Sequence, residues 1–241
     1  MCLQGYFSYS AYALDCDNQL QMKNILAQVN LNYDSSALFS CVAHPREKQQ
    51  TLIAYAVQQS LIEDIDDFKL YLLSVNHKTN QVKYFYPVAQ SLTSDGIELY
   101  KIQWDLATYN INHATKAVGL RLTYNGRSRA NPYSSEVLNL YDLEQKQQIL
   151  HGLLVKLYES ETNMRCNENT RERKSVLVMR PTKTYGYFDI QVRSQLEYYE
   201  MRGNEEHCIE INRKTSKQNF LLKFNGLRYV IPTSYKKDYQ Y

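Results

Sequence analysis

The spacing of apolar and polar side chains changes once along the chain. Residues 18–29 place apolar side chains at near-helical spacing and contain no Gly or Pro, which predicts a short helix. From Thr51 onward the period is two, as expected for strands that bury one face. The clearest alternation directs Val118, Leu120 and Leu122 to one face and polar neighbours to the other.

About eleven such segments lie between residues 51 and 231, and turn residues separate them. The strongest turn signals are the dipeptides Asn125-Gly126 and Asn225-Gly226, and the second of these indicates a hairpin near the C-terminus. No alternation of strands with long helices is present. The predicted fold is therefore all-β: an antiparallel sandwich or partly open barrel of about eleven strands with one short N-terminal helix.

Charged and polar stretches suggest how this chain is divided. Residues 162–174 are polar and charged, which predicts a linker or long loop. We expect residues 14–161 to form the main β domain with its N-terminal helix, and residues 162–241 to form a C-terminal β segment packed on the same core. The tail 233–241 is predicted to be loose. The acidic run 63–67 is interpreted as a solvated loop, or alternatively as a contact for a basic partner.

The first residues suggest export. Ala11-Tyr12-Ala13 is the small-residue pattern that signal peptidase accepts, so residues 1–13 are interpreted as a signal-peptide remnant and the mature chain is expected to begin at Leu14. This segment lacks the basic start of a complete signal. The alternatives are an ordinary aromatic-rich terminus and a lipoprotein acylated at Cys2.

The cysteine count supports the same compartment. The chain has Cys2, Cys16, Cys41, Cys166 and Cys208, and removal of residues 1–13 leaves an even four. Four cysteines allow three pairings. Local pairing would close loops of about 26 and 43 residues, worth about 3.5 and 4 kcal/mol in the chain-entropy model. The chain has no C-x-x-C spacing, so a zinc ribbon or thioredoxin site is not indicated. The alternative to two disulfides is four separate buried thiols in a cytosolic protein.

Composition and motifs narrow the function classes. The 241 residues carry 28 Lys and Arg against 25 Asp and Glu, and a net charge of +3 is too small to indicate nucleic-acid binding. No apolar run reaches the length of a transmembrane helix. The five histidines lack chelating spacing, and no nucleotide or nucleophile motif is present, so we predict no metal, no cofactor and no catalytic residues.

One loop is a candidate binding site. The polar segment after residue 126 offers Arg127, Arg129, Asn131 and Tyr133 between two strong strands. Loops on a rigid sheet commonly carry binding residues, and Arg and Tyr are favoured at protein contacts. The alternative is a structural corner, in which Arg129 pairs locally and Tyr133 covers the core edge.

Three segments carry a family resemblance. They are residues 119–134 (GLRLTYNGRSRANPYS) with LNLY at 138–141, MRCN at 164–167 with YGYFDI at 185–190, and FNGLRYVIP at 224–232. Over about residues 50–235 their order and spacing resemble a group of uncharacterised exported proteins of Gram-negative proteobacteria. The resemblance implies a periplasmic or secreted all-β protein in which Cys166 bonds Cys208. We predict in addition that Cys16 bonds Cys41.

The expected function is therefore non-enzymatic. The chain is predicted to be an exported binding protein that meets another periplasmic or envelope protein, such as an inhibitor or an immunity partner of a toxin. The alternative is a cell-envelope hydrolase or a carbohydrate-binding module. A concave row of exposed Tyr with Trp104 would favour sugar, and a cleft joining a His, a carboxylate and a Ser would favour hydrolysis.

Overall fold

A computed structural model of the chain describes residues 14–62, 65–94, 96–204 and 206–237. Within these residues the fold is all-β, as predicted, with thirteen strands in two antiparallel sheets and two short helices. The elements are α1 (Gln19–Ala27), β1 (Leu38–Ala43), β2 (Gln50–Ile62), β3 (Ile65–Asn76), β4 (Gln81–Pro87), β5 (Leu92–Ser94), β6 (Ile97–Asn110), β7 (Lys116–Gly126), β8 (Tyr133–Asp142), β9 (Gln147–Thr162), β10 (Glu168–Thr184), β11 (Tyr187–Gly203), β12 (Cys208–Phe224), β13 (Tyr229–Val230) and α2 (Thr233–Lys237).

The first sheet contains β1 to β5 and lies between the helix α1 and the second sheet. Its order is β1-β2-β3-β4, and β5 also pairs with β3. Asn18 caps α1 by accepting a hydrogen bond from the backbone amide of Gln21 at 3.0 Å. The apolar stripe of α1 packs on one face of β2 and β3, where Ile53 and Leu73 are fully buried. The predicted N-terminal helix is confirmed.

The second sheet is a meander in which β6 to β13 pair in sequence order. β9 and β10 pair only from Lys156 to Thr162 and from Glu168 to Lys174. Beyond these residues β9 pairs with β8, whereas β10 pairs with β11. The sheet is therefore continuous at one end and divided between β9 and β10 at the other.

Two apolar cores flank this second sheet. One lies between the sheets, where Leu52 and Leu72 of the first sheet belong to the same cluster as Trp104, Leu120 and Leu122 of the second. The predicted inward alternation along β7 is thus confirmed. The other core joins β8 and β9 to β11, β12 and the C-terminal segment.

The C-terminal segment is part of this second core. Tyr235 is fully buried, its hydroxyl donates to the carbonyl oxygen of Leu154, and its ring meets Phe220 edge-on at 4.8 Å. The prediction of a loose tail is therefore wrong at Tyr235, because apolar contacts hold the segment in place. Residues 238–241 of the predicted tail lie outside the described residues.

Several local predictions are also corrected. Residues 168–174, predicted as part of a linker or long loop, are the first half of β10, and only 163–167 form the turn. β1 lies before Thr51, in a stretch for which the sequence predicts no strand. Asn125 and Gly126 lie at the end of β7, and the turn follows at residues 127–132. In the acidic run, Asp66 and Asp67 belong to β3; Glu63 and Asp64 lie outside the described residues.

Both predicted cysteine pairs lie at disulfide distance. The Cα atoms of Cys16 and Cys41 are 6.2 Å apart, and those of Cys166 and Cys208 are 5.5 Å apart. The first bond ties the N-terminal segment to β1. The second ties the β9–β10 turn to the start of β12, at the continuous end of the second sheet. In the described part of the chain, no helix is long and apolar enough to cross a membrane.

Candidate functional site

The register of the second sheet aligns residues from seven strands in one row. Directly opposed residues in antiparallel strands have side chains on the same face of the sheet. Gly126 and Tyr133 adjoin at the next position of the β7–β8 ladder, where a Cβ on Gly126 would lie 3.0 Å from the Tyr133 Cβ. This cross-strand row consists of Ile97, Gly126, Tyr133, Glu159, Arg171, Tyr198 and Lys214.

Two adjoining hollows lie along the cross-strand row. Their volumes are about 520 and 580 Å³, and both are lined by Glu159, Arg171 and Tyr198. The first hollow extends to the β7–β8 loop, and the second extends to Lys214 on β12. We call the two hollows together the groove. Its floor is built on paired strands, so a ligand would meet side chains whose backbone is already ordered.

An ion pair occupies the middle of the groove. The Nε atom of Arg171 lies 2.5 Å from the Oε1 atom of Glu159, whose side chain is mostly buried. Burial raises the pKa of Glu159 above its usual range, against the opposing effect of Arg171. The Oε2 atom of Glu159 is also buried and has no hydrogen-bond partner among the described residues. The centre of the groove is therefore charged and only partly satisfied by the protein itself.

The second hollow combines cations with an aromatic ring. Tyr198 is half-buried, and its hydroxyl donates to Glu200 at 2.9 Å. Arg173 lies two residues after Arg171 on β10, on the same face of the sheet. It is 2% exposed and donates to Gln218 at 3.3 Å. The Arg173 guanidinium also lies 4.6 Å from the centre of the Tyr235 ring. The buried C-terminal segment thus contacts one of the residues that line this hollow.

The predicted binding loop contributes unequally to the groove. Arg127, Asn131 and Tyr133 line the first hollow, whereas Arg129 lines neither hollow. The side chain of Arg127 is 74% exposed and pairs with Glu98 at 3.2 Å. Tyr133 is half-buried and packs against the second core, as the structural alternative expected.

A separate cleft contains a His, a Ser and an Asp, the residue types of a hydrolase, but their side chains form hydrogen bonds to other groups. This cleft of about 290 Å³ is lined by His44, Ser74 and Asp142 among others. Ser74 donates to Gln50 at 3.0 Å, and Asp142 accepts from backbone amides in the next turn. His44 Nδ1 accepts from two backbone amides at 3.0 and 3.2 Å. In a serine hydrolase the histidine bonds the serine, whereas here each of these side chains bonds a different group.

Trp104 does not serve as a sugar platform. It is 3% exposed and lies in the core between the two sheets. The aromatic side chains in the groove are instead Tyr133 and Tyr198. Among the described residues, no group of three or more His, Cys, Asp or Glu is placed to hold a metal ion.

Comparison with known proteins adds no constraint, since no protein-family model, curated protein or solved structure matches the chain. The groove is thus defined by its own geometry. The pair Tyr198-Tyr199 was recognisable in the sequence as surface tyrosine suited to protein or carbohydrate contact, whereas Glu159, Arg171 and Lys214 carry no motif that links them. Only the pairing register brings them together.

Proposed function

We propose that the protein is a non-enzymatic binding protein that works outside the cytoplasm and holds a segment of a partner protein in the groove. The observation that carries the proposal is the cross-strand row, which aligns two tyrosines, an ion pair and a lysine along one open surface. Arg and Tyr are enriched at the centres of protein interfaces. A surface that mixes charged and aromatic side chains suits a peptide ligand, whereas a sugar ligand would favour a uniform row of aromatic rings.

The compartment is supported by the two disulfides. Structural disulfides persist in oxidising environments and are rare in the cytosol of most cells. Both predicted cysteine pairs lie at disulfide distance, which supports export. The resemblance to exported proteobacterial proteins supports it as well. More specifically, we propose that the protein acts in the periplasm as an inhibitor or as an immunity-like partner of a toxin.

The test is selection of peptides on the purified, oxidised protein. A phage-displayed library of random 12-residue peptides is selected on the immobilised protein, and the affinity of synthetic copies is measured by fluorescence polarisation. We expect Arg127→Ala and Tyr198→Ala each to weaken the selected peptides by about 1 kcal/mol or more, the usual threshold for an interface residue that matters. Arg129→Ala is the matched control, because it removes an exposed arginine of the same loop that lines neither hollow.

The outcomes separate the alternatives. Loss of binding in both groove variants, with Arg129→Ala unchanged, supports the proposal. Equal loss in Arg129→Ala and Arg127→Ala would place the contact on the loop rather than in the groove. Binding of envelope glycan fragments that depends on Tyr198, without peptide binding, would favour the carbohydrate alternative. Turnover of a substrate by the purified protein would overturn the non-enzymatic assignment.

A further inference from the structure

β12 presents a long edge that no described strand covers. β11 pairs with it from Cys208 to Leu222, whereas β13 pairs only with Lys223 and Phe224. An edge strand directs alternate backbone amides and carbonyls outward, where they can pair with another chain. Most side chains of β12 before Leu222 are exposed, so solvent reaches this edge.

The regular part of the edge has a defined length. A bulge opposite Tyr199 interrupts the pairing at Asn212, where the backbone φ is +55°. Between Lys214 and Leu222 the register is unbroken. Nine residues at about 3.4 Å each span roughly 30 Å. This segment, which we call the β12 edge, is long enough to pair with one extended strand of ordinary length.

The charge of β12 selects the occupant. Within the β12 edge the only charged residues are Lys214 and Lys217, because Lys223 lies beyond it and Arg213, just before it, is already paired with Glu197 and Glu210. Lysines on an edge oppose pairing with a second copy, because two such edges repel. An acidic strand would instead gain main-chain hydrogen bonds together with cross-strand charge pairs.

The edge is continuous with the groove. Lys214, Ser216 and Gln218 line the second hollow, whereas Lys217 and Asn219 lie on the opposite face of the same strand. A strand added to β12 would therefore place alternate side chains at the rim of the groove.

We propose that the partner segment is an extended acidic peptide that adds to β12 as a further antiparallel or parallel strand. Main-chain pairing along an exposed edge is an established mode of peptide recognition, in which alternate side chains supply specificity. This inference rests on the proposed function, because it names the class of segment that the groove receives.

The experiment uses a defined probe. An acetylated and amidated nine-residue peptide of alternating Val and Glu is added to the oxidised protein, and backbone amide hydrogen exchange is followed by mass spectrometry. A matched Val and Lys peptide is the charge control. We expect the acidic peptide to slow exchange in residues 214–222, and the basic peptide to leave it unchanged.

Charge variants test the edge without touching the groove. Lys217→Glu/Asn219→Glu lies on the face away from the second hollow and should weaken the acidic peptide at least about tenfold, by removing one attraction and adding repulsion. Lys48→Glu/Gln49→Glu alters the net charge equally at two exposed residues between β1 and β2 and should leave affinity unchanged. Thermal unfolding of each variant confirms that it is folded.

Four results overturn the inference. These are absence of protection at residues 214–222, equal binding of the basic peptide, equal weakening by the control pair, and protection that rises with protein concentration alone, which would identify a second copy as the occupant. If library-selected peptides still require Arg127 and Tyr198 while the β12 edge stays unprotected, the inference fails and the proposed function stands. If the library-selected peptides lose their dependence on the groove as well, both fail.

Discussion

Replacement of Tyr235 tests whether the C-terminal segment is part of the core. The side chain is fully buried, donates its hydroxyl to Leu154, and packs between Phe220 and the Arg173 guanidinium. Truncation of a buried aromatic residue to Ala costs about 3–5 kcal/mol, and loss of one hydrogen bond costs about 1 kcal/mol. We therefore expect Tyr235→Ala to lower the free energy of unfolding by about 4 kcal/mol and Tyr235→Phe by about 1 kcal/mol.

Urea denaturation under oxidising conditions measures these losses. With an m-value of about 3 kcal/mol/M, a loss of about 4 kcal/mol moves the midpoint down by about 1.3 M. Tyr185→Ala is the control, because this tyrosine is 74% exposed, and we expect it to lose less than about 0.5 kcal/mol. If Tyr235→Ala costs no more than Tyr185→Ala, the C-terminal segment does not belong to the core and the reasoning is refuted.

Three further predictions concern stability. Replacing Cys166 and Cys208 by Ser should cost at most about 4 kcal/mol, and non-reducing peptide mapping of the wild type should recover this pair; a different pairing contradicts the assignment. Burial lowers the pKa of His44 in the folded protein. The stability that the neutral His44 side chain contributes is therefore complete above about pH 6.5 and is lost as the pH falls through the lowered pKa of the folded state. Urea midpoints measured as a function of pH should show this loss in the wild type and not in His44→Gln. Gly119→Ala should destabilise by about 1–3 kcal/mol, because its Cβ would lie 2.9 Å from the Asp105 Cβ; a neutral result in thermal unfolding would show that the site can relax.

Strands with one apolar face could be predicted from the sequence. Along β7, Val118, Leu120 and Leu122 alternate with polar neighbours because one face meets the first sheet. The first half of β10 gives no such signal, since both of its faces are polar. There Glu168 accepts hydrogen bonds from the hydroxyls of Ser160 and Tyr158, at 2.6 and 3.1 Å. Polar pairing replaces apolar burial, and the period of two disappears from the hydrophobic pattern.

The candidate site was predictable only at its loop. Arg127 and Tyr133 follow a strand within a few residues of one another, so a sequence pattern can indicate them. Glu159, Arg171 and Lys214 fall in one row only because the lengths of the three turns between β9 and β12 set the register. A turn longer or shorter by one residue would turn the side chains to the opposite face. The disulfide between Cys166 and Cys208 ties the β9–β10 turn to the start of β12 and so stabilises the register at this end of the sheet.

The meander order of the second sheet also shapes how the chain is expected to fold. Each strand from β7 to β13 pairs with the strand made immediately before it. Loop closure between sequence neighbours costs little entropy, so each hairpin can form as soon as its two strands are available. The sheet can then assemble one strand at a time, from β6 toward the C-terminus. Such a sheet suits a chain that emerges gradually, because no early strand has to wait for a distant partner before its backbone is paired.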